Sequence, residues 1–272
     1  MFHMNPIGPV DGVALLSSLF IVMAYLMIAD IFDRKTAMLT SIFIAFSSTL
    51  IDLSRFSWNP NILPMFSFIA VYFFIKAILT KDRPFFILTG LFAGFAFQLH
   101  YVMFSLLFAF LVISLHQLSL HRKKAKQYLI NVFLAIGAFI TVTAPLIFFD
   151  LRHPFLNLQN SLTLFNNPGS AGVTSISSII EGFSSLNIFA YSLNLHFMII
   201  ALMIVCLMFS YTFWKDTAYR IILIIFIVSL VVTSFMTANK FPHYFGILYP
   251  LYYLIASVFL VRVIGMLNRK HV

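Results

Sequence analysis

Long apolar stretches follow one another along almost the whole chain, parted by short polar segments. They cover residues 13–31, 36–53, 62–79, 128–149, 187–213, 219–237 and 245–264, with a longer run over 85–115. A helix needs about 20 mostly apolar residues to cross a bilayer, and inside lipid only helices or closed barrels satisfy the backbone. The sequence has 61% hydrophobic and 9% charged residues, and a mean hydropathy of +1.00, which excludes a soluble domain. The expected fold is all-α: a polytopic transmembrane helical bundle of about seven full spans plus one short helical hairpin. Residues 1–272 form a single integral membrane domain, with 150–186 as an extracytoplasmic loop.

The hairpin accounts for 85–115, a run too long for one span and short for two. Gln98-Leu99-His100-Tyr101 interrupts it. Gly90 and Gly94, four residues apart on its first arm, permit close helix packing. The formal net charge of +9 belongs to membrane orientation and not to nucleic acid, because the basic residues fall between apolar blocks. The single cysteine, Cys206, lies inside an apolar block, so neither an intrachain disulfide nor a thiolate metal site forms. No soluble-cofactor motif is present, although a divalent cation at the outer face is compatible with the sequence.

The densest basic run, His121-Arg122-Lys123-Lys124-Ala125-Lys126, is placed in the cytoplasm. Counting spans outwards from it puts 14 of the 17 Lys and Arg residues on that side. The three outer cations are Arg55, Arg152 and Lys240. Each sits in a stretch dense in polar and aromatic residues: Arg55-Phe56-Ser57-Trp58-Asn59-Pro60-Asn61, Asp150-Leu151-Arg152-His153-Pro154-Phe155, and Lys240-Phe241-Pro242-His243-Tyr244. The hairpin tip, with Gln98, His100 and Tyr101, points to the same side. Four distant segments therefore bring Arg, Lys, His, Tyr, Trp and Asn to one membrane face.

Arg, Lys and His at such a boundary suit a phosphate, and aromatics and amides beside them suit a sugar ring. A bland reading competes for each residue. Trp58, Tyr101 and Tyr244 serve equally as belt aromatics, the cations as contacts for lipid phosphates, and His100 as a packing histidine.

The motifs at 55–61, 98–101 and 150–155 resemble those of polytopic bacterial glycosyltransferases of the GT-C class. They are most similar to the glycosyltransferase 39 or dolichyl-phosphate-mannose–protein mannosyltransferase-like group, which includes the lipid A aminoarabinose transferases. The resemblance implies transfer of a sugar from a polyprenyl-phosphate donor to a lipid, glycan or protein acceptor outside a bacterial-type plasma membrane. It also implies inversion at the anomeric carbon, with a carboxylate to take the acceptor proton and cations on the leaving phosphate. On this reading Arg152, Lys240 and His243 face the phosphate, with His153 and Tyr244 in the same segments. Arg55, Trp58, Asn59, Asn61, Gln98, His100 and Tyr101 line the sugar and acceptor cavity. Asp52 and Asp150 are the candidate catalytic carboxylates; Asp11 and Glu181 are further acids near that side. Family members begin with one more helix and a first outer loop carrying the catalytic acid, so the chain is expected to be truncated at its N-terminus. Two other readings stay open from the sequence: a secondary transporter or lipid flippase, and a non-catalytic membrane remnant of a glycosyltransferase.

Overall fold

A computed structural model describes residues 7–120, 125–160, 206, 213–236 and 241–269. Those residues are all-α. The helices are α1 (Ile7–Ile31), α2 (Arg34–Ala45), α3 (Ser48–Ser54), α4 (Leu63–Thr80), α5 (Arg83–Leu99), α6 (Met103–Leu120), α7 (Ala125–Arg152), α8 (Thr217–Met236) and α9 (Tyr249–Arg269). Short 3₁₀ turns over Asn59–Ile62 and Pro242–Phe245 lead into α4 and α9. Six of the helices are long and apolar enough to cross a membrane, and α2 with α3 counts as a seventh crossing if the bent pair is one span. The 17-residue α5 rises about 25 Å, close to the ~30 Å of a hydrocarbon core. The chain is an integral, multi-pass membrane protein.

The sequence predicts one span over 36–53, and in the structure it is bent by 60° between α2 and α3. Helix α2 ends at Phe46, and Ser47 begins the next helix by accepting the Leu50 N–H on its hydroxyl at 3.3 Å. A cap in mid-span stops one helix and starts another, and a serine pair is a common place for that break. The Tyr253 hydroxyl of α9 lies 2.6 Å from the Ser47 hydroxyl, which pins the bend against the bundle.

Helix α4 lies at the centre. Its buried face includes Phe68, Ile69, Val71, Phe74 and Ile75, and the Phe74 ring stacks on Phe110 of α6 at 4.1 Å. Lipid offers helices little hydrophobic reason to associate, so close packing and polar seams hold them together. The α5–α7 seam shows the first. A Cβ on Gly90 would lie 1.9 Å from the Ala135 carbonyl oxygen, and one on Gly94 would lie 2.9 Å from Val142 Cβ. The α6–α8 seam shows the second: the Thr233 and Ser105 hydroxyls are 3.0 Å apart, and Ser229 donates to the Ser105 carbonyl at 3.5 Å. Helices α1 and α4 are joined by Lys76 and Asp30 at 2.9 Å, with the Tyr72 hydroxyl donating to the same carboxylate. Arg262 of α9 pairs with Asp216 just before α8, and its guanidinium lies over the rings of Phe213 and Tyr219.

The helices alternate in direction. The 55–61 turn, the α5–α6 junction, the end of α7 and the start of the 241–248 segment consequently share one end of the bundle. The chain segments around Asp33, Lys81 and Asp216 share the other. Residues 161–186 of the expected outer loop, most of the 187–213 stretch, and Lys240 lie outside the described residues.

Candidate functional site

The turn after α3 is built by its own polar groups. Asn61 is 3% exposed and donates from Nδ2 to the Phe56 carbonyl at 2.7 Å, tying the turn shut from beneath. Pro60 rigidifies the 3₁₀ turn that follows. Trp58 precedes that turn in extended conformation and is left 47% exposed, with the Phe56 ring stacked beside it at 6.4 Å. Arg55 caps α3 and is exposed, as are Asn59 and Asp52.

At the α5–α6 junction, His100 ends α5 in extended backbone conformation, and Tyr101 lies in the turn before α6. The Val102 N–H donates to His100 Nδ1 at 3.1 Å. From the α8–α9 segment come His243 and Tyr244. The His243 carbonyl accepts the Gly246 N–H at 3.2 Å, and Pro64 at the start of α4 lies beside Gly246. A Cβ at Gly246 would sit 3.2 Å from that same carbonyl, so the turn itself is tight at this position.

These three segments meet ring to ring. Trp58 and His243 are 4.5 Å apart edge to face, His100 and His243 5.7 Å, and His100 and Tyr244 5.4 Å. Tyr101 lies 4.2 Å from His100 and 6.3 Å from Tyr244, and a side-chain hydrogen bond joins the two tyrosines. Phe241 stacks on His243 at 5.8 Å. The result is a partly buried cluster of packed rings, an aromatic box, containing two imidazoles. Burial, with repulsion from His243, lowers the His100 pKa to about 4. Burial also pulls His243 below the usual histidine range, and burial with the hydrogen bond to Tyr244 pushes the Tyr101 phenol up. At neutral pH both imidazoles are therefore uncharged.

The structure brings the remaining described site residues into no stacking or hydrogen-bond contact with these rings. Gln98 donates from Nε2 to the Val142 carbonyl of α7 at 3.0 Å, so its amide ties the hairpin tip to α7. Arg152 and His153 end α7 and are exposed, and the His153 ring stacks on Phe149 at 4.1 Å. Among the described residues neither Arg55 nor Arg152 is in an ion pair. Both Asp150 carboxylate oxygens accept backbone N–H groups, from Asn157 at 2.8 Å and Leu158 at 3.0 Å. That carboxylate therefore organises the turn after α7.

Phe56 and Phe241 complete the box and were not expected from sequence, since phenylalanine occurs 34 times and carries no local signal. The Val102 N–H is a backbone group and leaves no trace in side-chain patterns. Among the described residues no group of three His, Cys, Asp or Glu side chains could hold a metal ion. A separate cavity of about 250 Å³ lies between α4, α5, α6 and α7, lined among others by Phe74, Gly90, Ala93, Phe110 and Phe139. Its lining is almost wholly apolar, so it offers hydrocarbon packing and no catalytic group.

No curated protein and no solved structure matches the chain. The model of one family does, over residues 10–148, which takes in most of α1, α2 to α6, most of α7, the 55–61 turn and the hairpin tip. The chain is therefore a membrane glycosyltransferase, of a kind whose family implies a lipid-linked sugar donor; it belongs to the dolichyl-phosphate-mannose-protein mannosyltransferase family.

Proposed function

We propose that the protein transfers a sugar from a polyprenyl-phosphate donor to a lipid, glycan or protein acceptor at the outer face of a bacterial-type plasma membrane. The observation that carries this reading is the meeting of Trp58, His100, Tyr101, His243 and Tyr244. Three segments far apart in sequence converge at one end of the bundle, the end to which span counting in the sequence assigns 3 of the 17 Lys and Arg residues. The face assignment rests on that charge bias.

Breaking the bond between the anomeric carbon and phosphate leaves charge on the phosphate oxygens. The exposed Arg55 and Arg152, together with Lys240 of the 240–244 motif, are assigned as charge-assisted donors for it. Trp58, Asn59, His100 and Tyr101 face the sugar and the acceptor, while Asn61 and Gln98 hold the turn and the hairpin tip in place. Removal of the acceptor proton calls for a carboxylate. Asp52, exposed one turn before Arg55, is better placed for it than Asp150, whose oxygens are taken by its own loop.

The test is transfer by the full chain in nanodiscs, from radiolabelled polyprenyl-phosphate hexoses to a membrane extract. Label is expected to move to an acceptor. Arg152→Ala and Lys240→Ala should each slow transfer by about 100-fold, as loss of a transition-state contact does. Unchanged rates in both variants would remove the phosphate assignment. Gradient-driven uptake of a solute into vesicles without any sugar transfer would replace the whole reading with a transporter.

A further inference from the structure

Helices α5 and α7 are drawn together at Gly90 and Gly94, and the apolar cavity of about 250 Å³ lies between that pair, α4 and α6. On α5 its lining runs from Phe86 to Ala93. At 1.5 Å per residue that is about 5 to 15 Å from Arg83 at the start of the helix. One leaflet of a ~30 Å hydrocarbon core is about 15 Å deep. The cavity therefore occupies the leaflet next to the Lys81 end and stops short of the aromatic box. Phe97, one turn beyond Ala93, closes it on the box side. Its ring meets Phe104 of α6 edge-on at 4.9 Å and Phe139 of α7 at 5.4 Å. Leu111 of α6 and Ile136 of α7 line the cavity and are exposed, so its mouth opens sideways to hydrocarbon.

An apolar cavity of roughly 150 Å³ already takes up benzene, so this one admits a length of hydrocarbon chain. An empty cavity would leave its walls without dispersion partners, and a chain from the adjoining leaflet supplies them. The Thr89 hydroxyl in the wall donates to the Phe85 carbonyl at 2.7 Å and so makes no polar demand on an occupant.

The same helices set the charge above the cavity. Asn131, buried near the start of α7, donates from Nδ2 to the Lys81 carbonyl at 3.3 Å and accepts from Gln127 on Oδ1 at 3.1 Å. These bonds hold the α4–α5 turn against α7, so Lys81 and Arg83 share one end of the bundle with Lys126 in the first turn of α7. All three cations are exposed, and among the described residues none is in an ion pair. Asp82, exposed between Lys81 and Arg83, is the carboxylate beside them and leaves the patch positive.

We infer that the cavity and Lys81, Arg83 and Lys126 form one site for an anionic phospholipid of the adjoining leaflet, with an acyl chain in the cavity and the phosphate on the cations. The site is separate from the transfer site and does not depend on that reading. The isoprenoid tail of a lipid-linked donor is the other hydrocarbon at hand. Its phosphate belongs at the box end, and Phe97 stands between that end and the cavity.

The test uses the full chain, delipidated in detergent, with dioleoyl phosphatidylglycerol and dioleoyl phosphatidylcholine as probes, which share their chains and differ in headgroup charge. Native mass spectrometry reads the lipid retained, and thermal melting reads the stabilisation. One phosphatidylglycerol should be retained, and should raise the melting point, at concentrations where phosphatidylcholine does neither. The combined variant Lys81→Ala, Arg83→Ala, Lys126→Ala should weaken retention on the order of 100-fold, at about fivefold per cation. Ile136→Trp and Leu111→Trp put bulk into the mouth at exposed positions on two different helices and leave the cations in place, so that misfolding of one variant still leaves the other. Each should weaken retention roughly tenfold by keeping the chain out. Equal retention of the two phospholipids would overturn the headgroup assignment. Loss in the combined variant alone, with the tryptophan variants still holding the lipid, would reduce the site to a surface charge patch and overturn the cavity assignment. Displacement of phosphatidylglycerol from the native chain by an equal concentration of polyprenyl phosphate would give the cavity to the donor's tail and overturn the proposal.

Discussion

His100 can gain a proton only by giving up the Val102 N–H and by charging a half-closed aromatic site. The groups facing it are Tyr101 from its own turn and His243 and Tyr244 from the α8–α9 segment, and among these no carboxylate offsets a positive charge. Folded His100 therefore titrates at about 4, whereas an unfolded histidine titrates at 6.5. Between those values the unfolded chain binds the extra proton, so stability falls as pH drops through that window. The full effect is on the order of 3 kcal/mol. Thermal unfolding in detergent should shift downwards between pH 6.5 and pH 4.5, and His100→Gln should flatten that dependence. The same fall in the variant would assign the acid sensitivity to another group.

At the scale of the element, the α5–α7 seam makes the sharpest demand on sequence. Gly90 lies under a backbone carbonyl, which cannot move aside as a flexible side chain can. Gly90→Ala must push the helices apart, at about 1–3 kcal/mol by analogy with overpacked cores. Gly137, on α7 with nothing within 4 Å of its notional Cβ, is the matched control and should tolerate alanine. Melting curves of the two variants in detergent decide this; equal melting points would mean that the seam is not close-packed. Because Gln98 continues the same face to the Val142 carbonyl, loosening the seam should also disturb the hairpin tip that carries His100.

This seam was legible beforehand, since two glycines four residues apart leave a flat strip on any helix. The spans were legible for the same kind of reason: bilayer thickness imposes a length on apolar runs. The bend at Phe46 and Ser47 was not, because no proline or glycine marks it and the cap depends on a serine that reads as an ordinary small residue. The roles of Asn61 and Gln98 were also hidden. Both look like ligand-binding amides until their partners, two backbone carbonyls, are in view.

For the molecule as a whole, charge and geometry make one joint claim about orientation. Two of the three cations expected outside, Arg55 and Arg152, lie in described segments that share one end of the bundle by helix alternation, and the aromatic box occupies that end. Lys81, Arg83 and Lys126 flank the opposite end. Cys206 is the single native cysteine and is buried, so Cys206→Ala leaves a blank background for thiol labelling. Cysteines introduced at Ser57 and Asn59 should react with a membrane-impermeant maleimide on intact cells. Those at Lys81 and Lys126 should react only after the membrane is opened. The reverse pattern would place the box in the cytoplasm, where nucleotide sugars abound and a lipid-linked donor offers no advantage. The expected pattern leaves the lipid carrier as the route by which activated sugar reaches a site beyond the membrane, because an outer-face transferase has no cytoplasmic nucleotide sugar at hand.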